Sequence, residues 1–180
     1  MKKTMDLWQC AGEICGAMKK GILLTTRCNG QVNTMTIGWG MLGIEWGKPI
    51  FIALVRESRH TRKLLDESGE FTVNIPYGEF DPGILGFCGR KSGADVDKIG
   101  ALGLTLEEPN IISTPGICQL PLTLECKVLY RQEQDLSLLP KELLETYYPQ
   151  DVDGSNPGKN RDRHIAYYAE IVDSYLITKE

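Results

Sequence analysis

Histidine is scarce in this chain. Only two, His60 and His164, occur in 180 residues, and neither has a cysteine at ligand spacing, so a zinc-type centre has no obvious donor set. Long apolar runs are missing as well: the longest clean one, Ile50 to Val55, is far short of the roughly 18 residues of a membrane span. Positive charge is not in excess. Lys and Arg number 20 against 24 Asp and Glu, a net charge of −4, which argues against bulk attraction to nucleic acid. The six cysteines, at 10, 15, 28, 88, 118 and 126, contain no C-x-x-C pair. Met1-Lys2-Lys3 begins like an export signal, but Asp6 and Glu13 interrupt what would be its apolar core. Reduced thiols and a cytoplasmic location, with no membrane partner, are therefore expected.

Apolar residues are spread along the whole chain, and residues 1–180 read as a single domain with a real core. Glycine (19) and proline (9) are abundant enough to imply many turns. Residues 21–28 form a β-like run, Asn29-Gly30 follows, and a second run continues through Gly40. Asn-Gly between β-prone segments predicts a hairpin, because both residues tolerate positive φ. Further strands are predicted at 49–55, 71–75, 122–130 and 165–177, and helices at 58–68 with Ser58 as cap, 95–102 and 139–148. Six short strands with few helices point to an antiparallel barrel in an all-β dominated fold.

Two motifs mislead. Gly38-Trp39-Gly40-Met41-Leu42-Gly43 spells GxGxxG, but Ile44 to Pro49 cannot be the helix that a dinucleotide site requires. Cys88-Gly89-Arg90-Lys91-Ser92-Gly93 looks like a P-loop, yet Arg90 intervenes and Ile84 stands where the first glycine belongs. Residues 56–63, Arg56-Glu57-Ser58-Arg59-His60-Thr61-Arg62-Lys63, carry more information. They follow a buried strand and open a helix, where free N–H groups, a hydroxyl and guanidinium groups make a phosphate site. The alternative is a solvated helix start, and the residues alone leave both open. His164 is a loop histidine or a proton-handling group. Cys88 is a reactive thiol or a small buried residue, and Trp39 and Trp46 are core or interface. No serine has a nucleophile-elbow context.

Taken together, Asn33 to Gly40, Lys48 to Arg56, Ser58 to Thr61, Phe71 to Pro76, Cys88 to Lys98 and the late His164 resemble the flavin reductase-like, FMN-binding split-barrel family, in its flavoredoxin branch. The agreement runs from about Gly21 to Ile177. The resemblance implies a six-stranded antiparallel Greek-key split barrel, a homodimer, and FMN near the subunit interface. It also implies reduction of the flavin by NADH or NADPH, with electrons passed to free flavin or an acceptor protein. Thr34, Met35, Thr36, Ile37, Gly38 and Trp39 would hold the isoalloxazine, largely through backbone groups. Arg56, Ser58, Arg59 and Thr61 would take the phosphate. Cys88 to Lys98 would close over the flavin, with Lys91 or Lys98 near its phosphate or ring, and His164 would contact nicotinamide or relay a proton. One departure stands out: Arg161-Asp162-Arg163-His164 replaces the Gly-Asp-His of many family reductases, and residues 151–160 look like an insertion. Alternatives of the same fold are an FMN-holding electron carrier without efficient NAD(P)H oxidation and a non-catalytic module for another phosphorylated ligand.

Overall fold

The computed structural model describes residues 1–153 and 161–178. The elements run β1 (Lys2–Thr4), α1 (Leu7–Met18), β2 (Ile22–Cys28), β3 (Gln31–Ile37), β4 (Gly40–Glu45), β5 (Lys48–Arg56), α2 (His60–Ser68), β6 (Glu70–Ile75) and α3 (Gly83–Arg90). There follow α4 (Lys98–Leu102), β7 (Leu106–Glu107), β8 (Gly116–Ile117), β9 (Leu122–Glu133), a 3-10 turn (Leu136–Leu138), α5 (Lys141–Tyr147) and β10 (His164–Ile177).

One antiparallel sheet of eight strands dominates, in the order β3-β2-β6-β9-β10-β5-β4, with β1 added to β10. β3 and β4 occupy opposite ends of that path, yet only Gly38 and Trp39 separate them. A flat sheet would put the two ends about 29 Å apart across six strand spacings. The link from Ile37 to Gly40 reaches at most about 11 Å. The sheet must therefore curl until its ends meet without pairing, which makes a split barrel.

Alternation fills it. Ile22 and Leu24, Phe51, Ala53 and Val55, Phe71, Val73 and Ile75, and Ile165, Tyr167 and Ala169 point inward to one core. Each large side chain buried there contributes about 1.5–3 kcal/mol. Leu23, on the opposite face of β2, joins Ile84, Leu85 and Cys88 of α3 in a second cluster.

Several expectations change. The six predicted strands are all present, but the second ends at Ile37, and β4 is a separate strand turned by Trp46-Gly47. Trp46 (φ 53°) and Gly47 (φ 69°) make the same kind of two-residue turn as Asn29 (φ 50°) and Gly30 (φ 79°). Among the described residues there are ten strands rather than six: β4 is added, and β1, β7 and β8 are too short to leave a pattern. α1 was not expected. Asp6 accepts from Trp8 N to start it, and Leu7, Cys10, Ile14 and Met18 recur at helical spacing to close one end of the barrel core. Residues 77–121 carry α3 and α4 as well as loop, and residues 154–160 of the insertion-like segment lie outside the described residues. Among the described residues no helix is long and apolar enough to cross a membrane.

Candidate functional site

The seam of the barrel holds a groove. Its wider part, a cavity of about 260 Å³, is lined by residues 35–39 from β3 and the link, Leu54 and Arg56 of β5, Arg59 and His164. Its narrower part, about 120 Å³, is lined by residues 58–61, by Cys88, Gly89 and residues 91–93, and by Lys98. Met35, Arg56 and Arg59 line both. The link that lets the barrel split is thus also the wall of the groove.

The narrow end is cationic. Arg59, at the N-cap position of α2, has no hydrogen-bonding partner for its guanidinium among the described residues, and burial followed by the nearby charge of Arg56 pulls its pKa down. No side chain among the described residues caps the helix, so its leading N–H groups stay open to a ligand and add positive potential at this end. Lys91 stands exposed at the rim. Lys98 is buried, with Nζ donating to Thr34 O at 2.8 Å and Cys88 O at 2.9 Å. Burial pushes its pKa down to about 8. An ammonium has three donors, so one remains for another acceptor. Among the described residues, no Asp or Glu lines either part of the groove.

One carboxylate does reach this end from behind. Asp162 Oδ1 accepts from Arg56 Nε at 2.7 Å, and its other oxygen takes the Ser58 N–H at 2.7 Å. These bonds outweigh the opposing effect of burial and hold the Asp162 carboxyl below its ordinary value.

The wide end carries an aromatic cluster. Trp39 lies 4.8 Å from His164 at a 34° tilt, with Tyr147 and Tyr148 edge-on to it at 5.5 and 6.4 Å. His164 is buried, and its Nδ1 lies 3.1 Å from Tyr148 Oη. Burial, followed by the charge of Arg56, pushes the imidazole pKa down to about 4, so it is neutral at ordinary pH.

The structure brings most of the sequence-predicted residues to this groove. Met35, Thr36, Ile37, Gly38, Trp39, Arg56, Ser58, Arg59, Thr61, Cys88, Lys91, Lys98 and His164 all line it. Four expectations are corrected. Thr34 turns its hydroxyl toward Thr25 Oγ1 and Leu24 O, away from the groove, and gives its carbonyl to Lys98. Ser58 does not cap α2: the helix starts two residues later, and Ser58 is exposed with its N–H on Asp162. Arg56 is engaged by Asp162 and is no free cation. Cys88 to Arg90 are the last turn of α3, so only residues 91–97 are loop. Thr36 fastens that helix by donating to Leu85 O at 2.7 Å. The Cys88 thiol is buried, and burial raises its pKa against the opposing charge of Lys98, which favours the inert thiol.

Asn33, Gly93, Tyr147 and Tyr148 were not singled out as site residues. Asn33 Nδ2 donates to Thr61 Oγ1 at 2.7 Å, and a Cβ on Gly93 would sit 2.0 Å from Asn33 Oδ1. Only glycine lets the 91–97 loop pack that closely. Within GxGxxG, Gly40 has a similar packing reason, since a Cβ there would lie 2.9 Å from Ile52 O.

Residues 16–176 match the model of a family described as "Flavin reductase like domain". An uncharacterised protein of Archaeoglobus fulgidus is 32% identical over 113 residues, covering 62% of this chain and 63% of its own, so the match spans less than two thirds of that relative. Among solved structures, the flavoredoxin of Desulfovibrio vulgaris (Miyazaki F) superposes with a TM-score of 0.64 at 19% identity, over 87% of this chain and 69% of that one. The FMN-binding domain of a flavin reductases-like enzyme from Shewanella baltica gives 0.62 at 17% identity, over 98% and 77%. Likeness at these identities concerns the fold.

Proposed function

The chain belongs to the flavin reductase like domain family, and we propose that it is an FMN-holding oxidoreductase that is reduced by NAD(P)H and passes electrons onward to free flavin or an acceptor protein. The observation that carries this reading is the Arg59 guanidinium, unpartnered among the described residues, at the uncapped start of α2, at one end of a groove whose other end is walled by Trp39 and His164. A phosphate on a flexible tail attached to a planar ring system has both features. When bound, FMN supplies the hydride-accepting ring that neither the cysteines nor the histidines of this chain replace.

The chain's own residues then have separate tasks. Arg59 and the α2 N–H groups hold the phosphate, with Lys91 at the rim. Asp162 keeps Arg56 in one rotamer, so that its charge supports the site from a fixed position. Lys98 joins β3 to α3 and offers its remaining N–H. Met35, Leu54, Trp39 and His164 line the wide end and would hold the ring there, with Met35 and Leu54 excluding water.

A homodimer is part of the proposal. Tyr130, Tyr168, Ile52 and Met41 lie opposite one another in a row across β9, β10, β5 and β4, with Trp46 6.3 Å from Tyr168. Met41, Trp46 and Tyr130 are about half exposed. Leu54, two positions along β5 from Ile52, lines the groove, so this apolar face is continuous with it. A second copy covering that face would also close the groove. The six free thiols support a reducing compartment such as the cytoplasm.

The test is an absorbance spectrum of the purified protein, with FMN titrated in and NADH or NADPH then added anaerobically. Flavin absorbance that shifts on binding and bleaches rapidly supports the proposal. Binding with slow or absent bleaching would make the protein a carrier, and no binding would end the flavin reading.

A further inference from the structure

His164 sits at the first position of β10, and its carbonyl accepts from Gln134 N at 3.0 Å, which ties it to the end of β9. Its ring makes a second tie. Nδ1 lies 3.1 Å from the buried Tyr148 hydroxyl, and that hydroxyl donates to Gln134 Oε1 at 2.8 Å. A phenol has one proton to give. With that proton on Gln134, Tyr148 can only accept from the imidazole, so Nδ1 carries the hydrogen. A neutral imidazole has a single N–H, which leaves Nε2 bare. His164 lines the groove beside Trp39, and no described residue bonds to Nε2.

We propose that Tyr148 and Gln134 are positioning residues that lock His164 as the Nδ1–H tautomer, so that the wide end of the groove presents a bare imidazole nitrogen and selects a ligand group that donates an N–H or O–H. The ligand part rests on the reading of the groove as a flavin and nicotinamide site; the tautomer does not. A carbonyl at that place would face a lone pair. An amide NH₂ would gain a hydrogen bond, which corresponds to about fivefold in affinity. The carboxamide of NAD(P)H has such an NH₂. Neutrality follows first from burial and then from the charge of Arg56, with Arg59 adding to it, and together these outweigh the opposite pull of Asp162.

Nitrogen-15 NMR of histidine-labelled, ligand-free protein tests the lock, and two histidines make a simple spectrum. His164→Gln assigns the signal. The wild type is expected to show His164 protonated at Nδ1 and bare at Nε2. In Gln134→Leu the phenol loses its acceptor and turns its proton to Nδ1, so the tautomer should invert. Gln134 is only half-buried, so its replacement is expected to leave the fold intact. An Nε2–H tautomer in the wild type, or no inversion in Gln134→Leu, would overturn the proposal. A second readout compares KM for NADH with that for its reduced 3-acetylpyridine analogue, whose methyl ketone lacks the donor. The wild type should favour NADH by about fivefold, and Gln134→Leu should lose the preference. Equal KM values in a wild type that reduces flavin would overturn the ligand part. Failure to take up FMN would instead overturn the functional reading and leave the NMR result standing.

Discussion

Asp162 and Arg56 form a tight pair, with Oδ1 at 2.7 Å from both Nε and an Nη of the guanidinium. The same carboxylate takes the Ser58 N–H, so an internal anion sits behind the groove's cationic end. The strand end and the helix approach are joined through it. Arg59 is left as the guanidinium that a ligand can claim.

Replacing Asp162 with Asn removes a negative charge next to the proposed phosphate position. FMN affinity should rise, read as a lower Kd in a fluorescence titration, while stability should fall by about 1–2 kcal/mol in urea at pH 7 because a part-exposed charged pair is lost. The lowered Asp162 pKa sets the pH sense. Its contribution is present above the ordinary carboxylate range and is lost as pH falls through the depressed value, so wild type and variant should converge in acid. A higher Kd in Asp162→Asn would show that Arg56 needs its partner more than the site needs the charge.

Arg59→Ala should weaken FMN binding by roughly 1.5–3 kcal/mol and change stability by no more than about 0.5 kcal/mol, because the guanidinium has no internal partner to lose. Isothermal titration and urea unfolding on one preparation separate the two effects. Unchanged FMN affinity removes Arg59 from the site.

His164 makes the protein sensitive to acid. Its pKa is pushed down from 6.5 to about 4, whereas in the unfolded chain the ring takes a proton near the ordinary value. The unfolded state therefore binds more protons between these limits, and stability falls as pH is lowered through that window, by roughly 2–3 kcal/mol. Urea midpoints at several pH values should show this slope in the wild type and a flatter one in His164→Gln.

Gly93→Ala pushes a methyl group against Asn33 Oδ1, which must rotate and give up its bond to Thr61. A loss of about 1–3 kcal/mol is expected. In an Asn33→Ala background the same substitution should cost much less, since the obstructing amide is gone. Thermal melts of the four proteins in this cycle measure the coupling, and additive effects would refute the contact.

The aromatic cluster of Tyr130 on β9, Tyr168 on β10 and Trp46 in the β4–β5 turn should govern assembly. Trp46→Lys with Tyr168→Lys should shift the sedimentation coefficient from dimer toward monomer and weaken FMN binding as the groove loses its cover. A wild type that sediments as a monomer at micromolar concentration would dispose of the dimer.

The strands were legible for a simple reason. β5, β9 and β10 carry the apolar alternation or unbroken runs that a barrel wall needs, and Asn29-Gly30 announces its own turn. Trp46-Gly47 is turn-like in sequence, but tryptophan rarely accepts positive φ, so nothing in it announces a hairpin with a strand ahead of it. α1 was overlooked because its buried positions are spread among Gly12, Glu13 and Gly16. The cation-rich stretch around Arg59 was visible as chemistry, but which of its cations stayed free was not.

Local sequence determined the elements, the turn at Asn29-Gly30 and the concentration of positive charge after β5, since each depends on residues a few positions apart. Tertiary structure alone decided that Asp162, 106 positions from Arg56, would hold it, and that Tyr148 and Gln134 would meet at His164. The reason is geometric. The barrel closes through a two-residue link, and that closure sets strand ends side by side whose order along the chain says nothing of their proximity.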